Sequence, residues 1–138
     1  MADLATGTIS SELKDAQGYY FEDHDVDTAS VGTSSAFLDG KRQGRVEIVG
    51  VAKTEVVLAI DKKITIELQS DVCGGASYTT FDTPMDTPAT HVAATTYVIG
   101  TELFRVNIPS DAKESIKAVI TSQATNTGTI DIYDVYRS

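Results

Sequence analysis

Along much of this chain apolar and polar residues alternate one for one. Ile64, Ile66 and Leu68 are separated by Thr65, Glu67 and Gln69. A period of two sends successive side chains to opposite faces, so the run predicts a strand with one face buried and one solvated. The same pattern recurs at Phe104, Val106 and Ile108, around Arg105 and Asn107, with Pro109 ending the run. It recurs again at Ile116, Ala118 and Ile120, around Lys117, Val119 and Thr121. Ile130 and Ile132, around Asp131 and Tyr133, begin a last run that ends at Tyr136. Val46 and Ile48 open a further apolar stretch, and after the polar break Ala52-Lys53-Thr54 comes Glu55-Val56-Val57-Leu58-Ala59-Ile60. Tyr78 and Phe81 mark another short strand, as do residues 34–38. The punctuation between runs is turn chemistry: Asp61-Lys62, Gly74-Gly75, and Asn126-Thr127-Gly128, which reads as a hairpin turn.

Helical periodicity is confined to Ser11-Glu12-Leu13-Lys14-Asp15-Ala16-Gln17, with a serine cap before it and Gly18 to stop it. About eight short strands separated by turns predict an all-β sandwich, jelly roll or barrel. The gaps hold no crossover helices of the kind parallel strands require, so the strands are expected to be antiparallel. One stretch breaks the rhythm. Residues 81–95 lack alternation and repeat Asp-Thr-Pro, at 82–84 and again at 86–88. Proline fixes φ and pushes its predecessor to extended geometry, so a stiff extended loop is expected there.

Charge sharpens this picture. The 138 residues hold 20 acidic and 11 basic side chains, a net of −9. Seven of the acids and one base lie in the first 30 residues, a net of −6, which leaves the remaining 108 at −3. The chain therefore reads as an acidic N-terminal arm, residues 1–30, ahead of a nearly neutral β-sandwich domain, residues 31–138. Binding to nucleic acid or to an anionic membrane is disfavoured, since both draw their affinity from Lys and Arg meeting phosphates. The N-terminal residues show no basic and apolar leader pattern, and Cys73 is the single cysteine, so a soluble protein made in a reducing cytoplasm is expected.

Candidate chemistry is sparse. Asp23-His24-Asp25-Val26-Asp27 begins like a calcium loop. The glycine and the bidentate glutamate that such a loop needs at positions six and twelve are replaced by Thr28 and Ser34. A solvated acidic segment is the better reading. His24, His91 and Cys73 have no metal-ligand spacing. Nucleophile elbows and phosphate loops are missing, and tryptophan, a frequent sugar-stacking platform, is absent. No cofactor or metal and no catalytic residue is expected. Three features suit contact with a partner instead. Tyr19, Tyr20 and Phe21 form an aromatic triplet inside the acidic arm and must pack against something, be it the sandwich, a neighbouring copy or a larger partner. Lys41, Arg42 and Arg45 form a basic cluster after the turn Leu38-Asp39-Gly40, suited to an acidic surface such as another copy's arm. Pro84 and Pro88 stiffen the Asp-Thr-Pro segment.

Several stretches taken in order resemble a known family. Asp15-Ala16-Gln17 comes near the start. A small-residue run, Thr28-Ala29-Ser30-Val31-Gly32-Thr33-Ser34-Ser35-Ala36-Phe37, then leads to the turn Leu38-Asp39-Gly40. Later come Val106-Asn107-Ile108-Pro109, a strand over 115–121, and Asn126-Thr127-Gly128-Thr129-Ile130-Asp131-Ile132. This succession is similar to that of the jelly-roll cement, or decoration, proteins of tailed-bacteriophage capsids, although residues 18–27 exceed the shorter opening usual there. The resemblance implies a jelly-roll sandwich without enzymatic activity. It would sit on the outer surface of the virion as a dimer or trimer at capsid symmetry axes and bind the major capsid protein. Two rival readings are a carbohydrate- or receptor-binding sandwich of a phage fibre and a cupin-type enzyme. The missing tryptophan counts against the first, and the scattered histidines against the second.

Overall fold

In a computed structural model the chain is described over residues 12–27, 29–42, 46–60, 62–86 and 94–137. Ten strands follow in order: β1 (Glu12–Asp25), β2 (Ser30–Thr33), β3 (Val46–Ala52), β4 (Val56–Leu58), β5 (Thr65–Asp71), β6 (Thr79–Asp86), β7 (Thr95–Tyr97), β8 (Glu102–Asn107), β9 (Ser115–Ser122) and β10 (Thr129–Arg137). A 3₁₀ turn over Leu38–Arg42 lies between β2 and β3. The pairing has a simple rule. β1 pairs with β10, β2 with β9, β3 with β8, β4 with β7 and β5 with β6, all antiparallel. This is one long hairpin, folded back at the turn between β5 and β6. Two further pairings, β10 with β3 and β5 with β9, roll that hairpin up. The result is two four-stranded sheets, ordered β1-β10-β3-β8 and β2-β9-β5-β6, with the small sheet β4-β7 beside them. A rolled antiparallel hairpin split between two facing sheets is a jelly roll.

The alternating runs explain why each strand presents the face it does. Ile64, Ile66, Leu68, Ile116, Ala118, Ile120, Ile130 and Ile132 are all fully buried, while Thr65, Glu67 and Gln69 between them are only half-buried. Val46 and Ile48 join the same core from β3, Phe104 from β8, and Val56 and Leu58 from β4. Burying each large aliphatic side chain contributes about 1.5–3 kcal/mol, so these positions carry the fold. Gly50 sits where a Cβ would come within 2.3 Å of the Phe104 ring. Its missing side chain lets that ring lie flat across the β3–β8 pair.

Four expectations are corrected. The segment expected to be a short helix, residues 11–17, is extended from Glu12 onward as the start of β1. A single turn and a half of helix has little intrinsic stability, and ladder hydrogen bonds to β10 outweigh it. The acidic arm is consequently no separate element over the described residues: β1 is an edge strand of the first sheet, and Tyr20 and Val26 belong to the core. The Asn126-Thr127-Gly128 turn does not make a hairpin, because β9 and β10 lie in different sheets. It is instead a crossover, with Thr127 bridged to Val57 by N–H···O bonds of 3.0 Å in both directions. Finally, residues 81–86 of the expected stiff loop are the end of strand β6. β6 is an edge strand, where a proline is tolerated. Opposite Ile66 to Leu68 the register runs from Met85 to Asp82, so Thr83 and Pro84 together face Glu67 in a bulge. Residues 87–93 of that segment, including Pro88, lie outside the described residues, and Thr95 opens β7.

Candidate binding surface

The ladder registers sort the connections into two ends of the roll. Residues 26, 27, 29, 53–55, 98–101 and 123–128 cluster at one end with the β4–β7 sheet, and residues 34–42, 72–78 and 108–114 at the other. The aromatic triplet lies along β1 between these ends. Tyr19 is half-buried, its ring edge-on to Tyr133 on β10 at 5.6 Å. Tyr20 has no register partner on β10, because Tyr19 faces Tyr133 and Phe21 faces Ile132. That irregularity accompanies an inward turn of Tyr20. It is only 4% exposed, its ring stands edge-on to Phe37 at 4.9 Å, and its hydroxyl donates to Asp39 Oδ2 at 2.6 Å. Burial, then the Asp39 and Asp134 carboxylates, hold that hydroxyl's pKa well above its usual value. Tyr20 is thus a structural tie between β1 and the 3₁₀ turn, and the expectation that it meets a partner is corrected. The aromatic triplet packs on its own sandwich at this position. Phe21 is half-buried against the His24 ring at 4.8 Å.

His24 completes this side of the roll. A Cβ on Gly32 would lie 2.8 Å from His24 Cε1 and 3.4 Å from Phe21 Cε1, so both rings rest on the bare backbone of β2. His24 Nε2 is buried with no hydrogen-bond partner among the described residues. Desolvation lowers the pKa of the imidazole, against a smaller opposing pull from Asp25. The neighbouring carboxylates are used locally. Asp23 adopts φ 57° and gives its N–H to Asp131 Oδ1 at 2.7 Å, closing the bulge in β1. Asp27 gives its N–H to Asp25 Oδ1 at 3.2 Å, and a separate hydrogen bond between the two carboxyl side chains raises the pKa of Asp27. Among the described residues no three His, Cys, Asp or Glu side chains gather as a metal site would require.

The remaining expected contacts do not form one surface. Lys41 and Arg42 close the 3₁₀ turn at the second end of the roll. Arg45 lies outside the described residues. Pro84 sits, half-buried, on β6, the opposite edge of the second sheet from β2. Sequence reasoning also missed the polar ties that shape the ends. Asp71 accepts from Ser77 N at 2.7 Å and from Val72 N at 2.8 Å, which hold its carboxyl below its ordinary value with Ser77 the larger cause. A Cβ on Gly75 would fall 2.2 Å from that carboxylate. The Gly-Gly signal marked this turn, but nothing in the sequence marked Asp71 as its organiser. Asn126 is fully buried and accepts from Ala59 N at 2.9 Å, tying the crossover to the β4–β5 connection.

Large apolar side chains stand among the polar and charged groups that these ends offer to solvent. Ile60, Val98 and Ile99 are exposed at the first end, and Leu38 and Val72 at the second. Val31 is exposed on the edge strand β2. Across the outer face of the first sheet, Arg105 bridges Glu47 and Glu102 at 2.7 Å each. Comparison with known protein families, with curated proteins and with solved structures finds no match for this chain.

Proposed function

We propose that this protein is a noncatalytic capsid cement protein, which binds the outside of a bacteriophage head and stabilises contacts between major capsid protein subunits. The observation that carries the reading is the division of labour among side chains. The polar groups best suited to chemistry are spent on internal ties: Tyr20 on Asp39, Asp131 on Asp23, Asp71 on its loop amides, Asn126 on the β4–β5 connection. Five of the six exposed large apolar side chains among the described residues stand at the two ends of the roll instead. A clamp that touches two neighbouring subunits at once gains from effective concentration, so weak contacts at each end suffice. The succession of sequence patterns shared with decoration proteins supports the same reading. A net charge of −9 keeps a protein present in many copies from adhering to nucleic acid.

The test is co-sedimentation. Purified protein is mixed with undecorated heads assembled from the major capsid protein encoded beside it, and the heads are pelleted. The protein is expected in the pellet at a saturable ratio, and Val98→Asp with Ile99→Asp is expected to reduce that fraction severalfold. Protein that stays wholly in the supernatant rejects the reading.

A further inference from the structure

Edges of the two large sheets face each other along the side of the roll that holds β1 and β2. β1 is an edge of the first sheet and β2 an edge of the second, while on the other side β8 lies against β6. Among the described residues no hydrogen-bond ladder joins β1 to β2. Side chains therefore close this seam. Tyr20 on β1 and Val26 just after it belong to the core, and the rings of Phe21 and His24 lie on the backbone of Gly32 in β2. A Cβ at position 32 would stand 2.8 Å from His24 Cε1 and 3.4 Å from both His24 Nε2 and Phe21 Cε1. Glycine is what lets the rings come this close.

His24 Nε2 is shielded from solvent and makes no hydrogen bond among the described residues. A neutral ring there bears at most one unmet polar atom. An imidazolium is a donor at both nitrogens and carries a charge, and a buried charge without a partner is far more costly. The groups around the ring offer little relief inside the seam. β2 has no titratable side chain from Ser30 to Thr33. β9, which pairs with β2, presents Ala118 and Ile120 to the core. On β10, His24 is in register with Ile130; the next residue, Asp131, accepts the Asp23 N–H and lies 3.9 Å from Lys53 Nζ. The carboxylate that acts on the ring is Asp25, on its own strand, and desolvation outweighs it, so the imidazole's pKa is lowered. Asp25 and Asp27 themselves stand exposed, outside the seam.

We propose that His24 is a pH-operated latch on this seam. Neutral, the ring rests on Gly32 and holds the β1 edge to the β2 edge. Protonated, it swings out to solvent beside Asp25 and Asp27, and uncovers Phe21 and the core at Val26. β1 keeps its ladder with β10, so the opening is local and the roll survives it. In the open form the ring titrates near its ordinary value of about 6.5. The closed form is therefore favoured fully above that value, and the ratio of open to closed chains rises by up to about thirtyfold between about pH 7.5 and 5. The inference rests on the fold and not on capsid binding, and either can fail without the other.

The test is NMR of the full chain from about pH 7.5 to 5, with binding of a fluorescent apolar dye and circular dichroism followed alongside. The His24 ring signal is identified as the one missing from His24→Phe. In wild type it is expected to titrate below about 6.5. The Gly32 Hα signals, displaced by the rings above them, are expected to move with the same midpoint, and dye binding to rise severalfold by pH 5 while the strand dichroism stays constant. In His24→Phe the Gly32 signals and dye binding are expected to stay level. Gly32→Ala places a methyl where the His24 ring lies and is expected to hold the latch open, with His24 titrating at about its ordinary value and dye bound already at pH 7.5. If dichroism shows that this variant does not fold, the comparison of wild type with His24→Phe decides alone. A His24 that titrates at or above about 6.5 in wild type overturns the proposal. So do Gly32 signals that ignore the His24 titration, dye binding that rises equally in His24→Phe, or strand dichroism lost at the same midpoint, which would make the event global unfolding.

Discussion

At the scale of single residues, the side of the roll formed by β1 depends on two polar side chains held in apolar surroundings. Tyr20 delivers its hydroxyl to Asp39 inside the core, joining positions 19 residues apart. Tyr20→Phe keeps the ring against Phe37 and removes only that bond, leaving a buried carboxylate with one donor fewer. A loss of about 1–3 kcal/mol is expected in equilibrium urea unfolding, with little change in slope. His24 makes a different prediction. Its pKa is lowered in the fold, chiefly by desolvation, so the unfolded chain takes up a proton first as pH falls. The stability this group contributes is complete above its unfolded value of about 6.5 and is lost as pH drops through the lower folded value. Unfolding midpoints measured from about pH 7.5 to 5 should therefore fall more steeply for wild type than for His24→Phe. That substitution keeps an aromatic ring on Gly32 but cannot titrate. Parallel curves would show that His24 does not titrate differently in the two states.

At the scale of elements, β1 decides whether the first 27 residues are an accessory or part of the body. Its charge pattern reads as a detachable arm. Its pairing with β10, and the burial of Tyr20 and Val26, make it a structural strand. Deleting residues 1–27 would bare the long edge of β10 and open the core beside Ile130 and Ile132. The truncated chain is expected to lose the cooperative unfolding transition of the full chain and to show one-dimensional NMR spectra with poor dispersion. A truncated chain that stays folded, with its transition intact, would restore the arm as a separate unit. The length of β1 explains why periodicity missed it. Its 14 residues oppose only nine on β10, so repeated register breaks erase the two-residue alternation. In β5 from Thr65 to Gln69, and in β9 from Ile116 to Thr121, the alternation matches the buried and less buried faces position by position.

At the scale of the whole molecule, one pairing rule, first strand with last and inward from there, organises every described strand. Such a roll brings residues far apart in sequence side by side, and a local reading has no access to that. Asn126-Thr127-Gly128 shows the difference. Its composition marks a reversal, and Gly128 does adopt φ 112°. Whether the chain then returns along the same sheet or crosses to the facing one depends on Val57 and Glu55, some 70 residues earlier, which pack around it. The same holds for the binding surfaces. Tyr19, Tyr20 and Phe21 read as one contact patch, yet Tyr20 turns inward, while Val31, within a run of small neutral residues, stands exposed on the edge strand β2. What the sequence determined by itself was the β class, the antiparallel sense, most buried faces and the acidic balance, because each follows from local periodicity or from counting. Only the tertiary structure decided which strands neighbour each other, which strands lie at the sheet edges and which polar groups are spent inside. Those outcomes depend on closing long loops around a shared core, and that is a property of the whole chain at once.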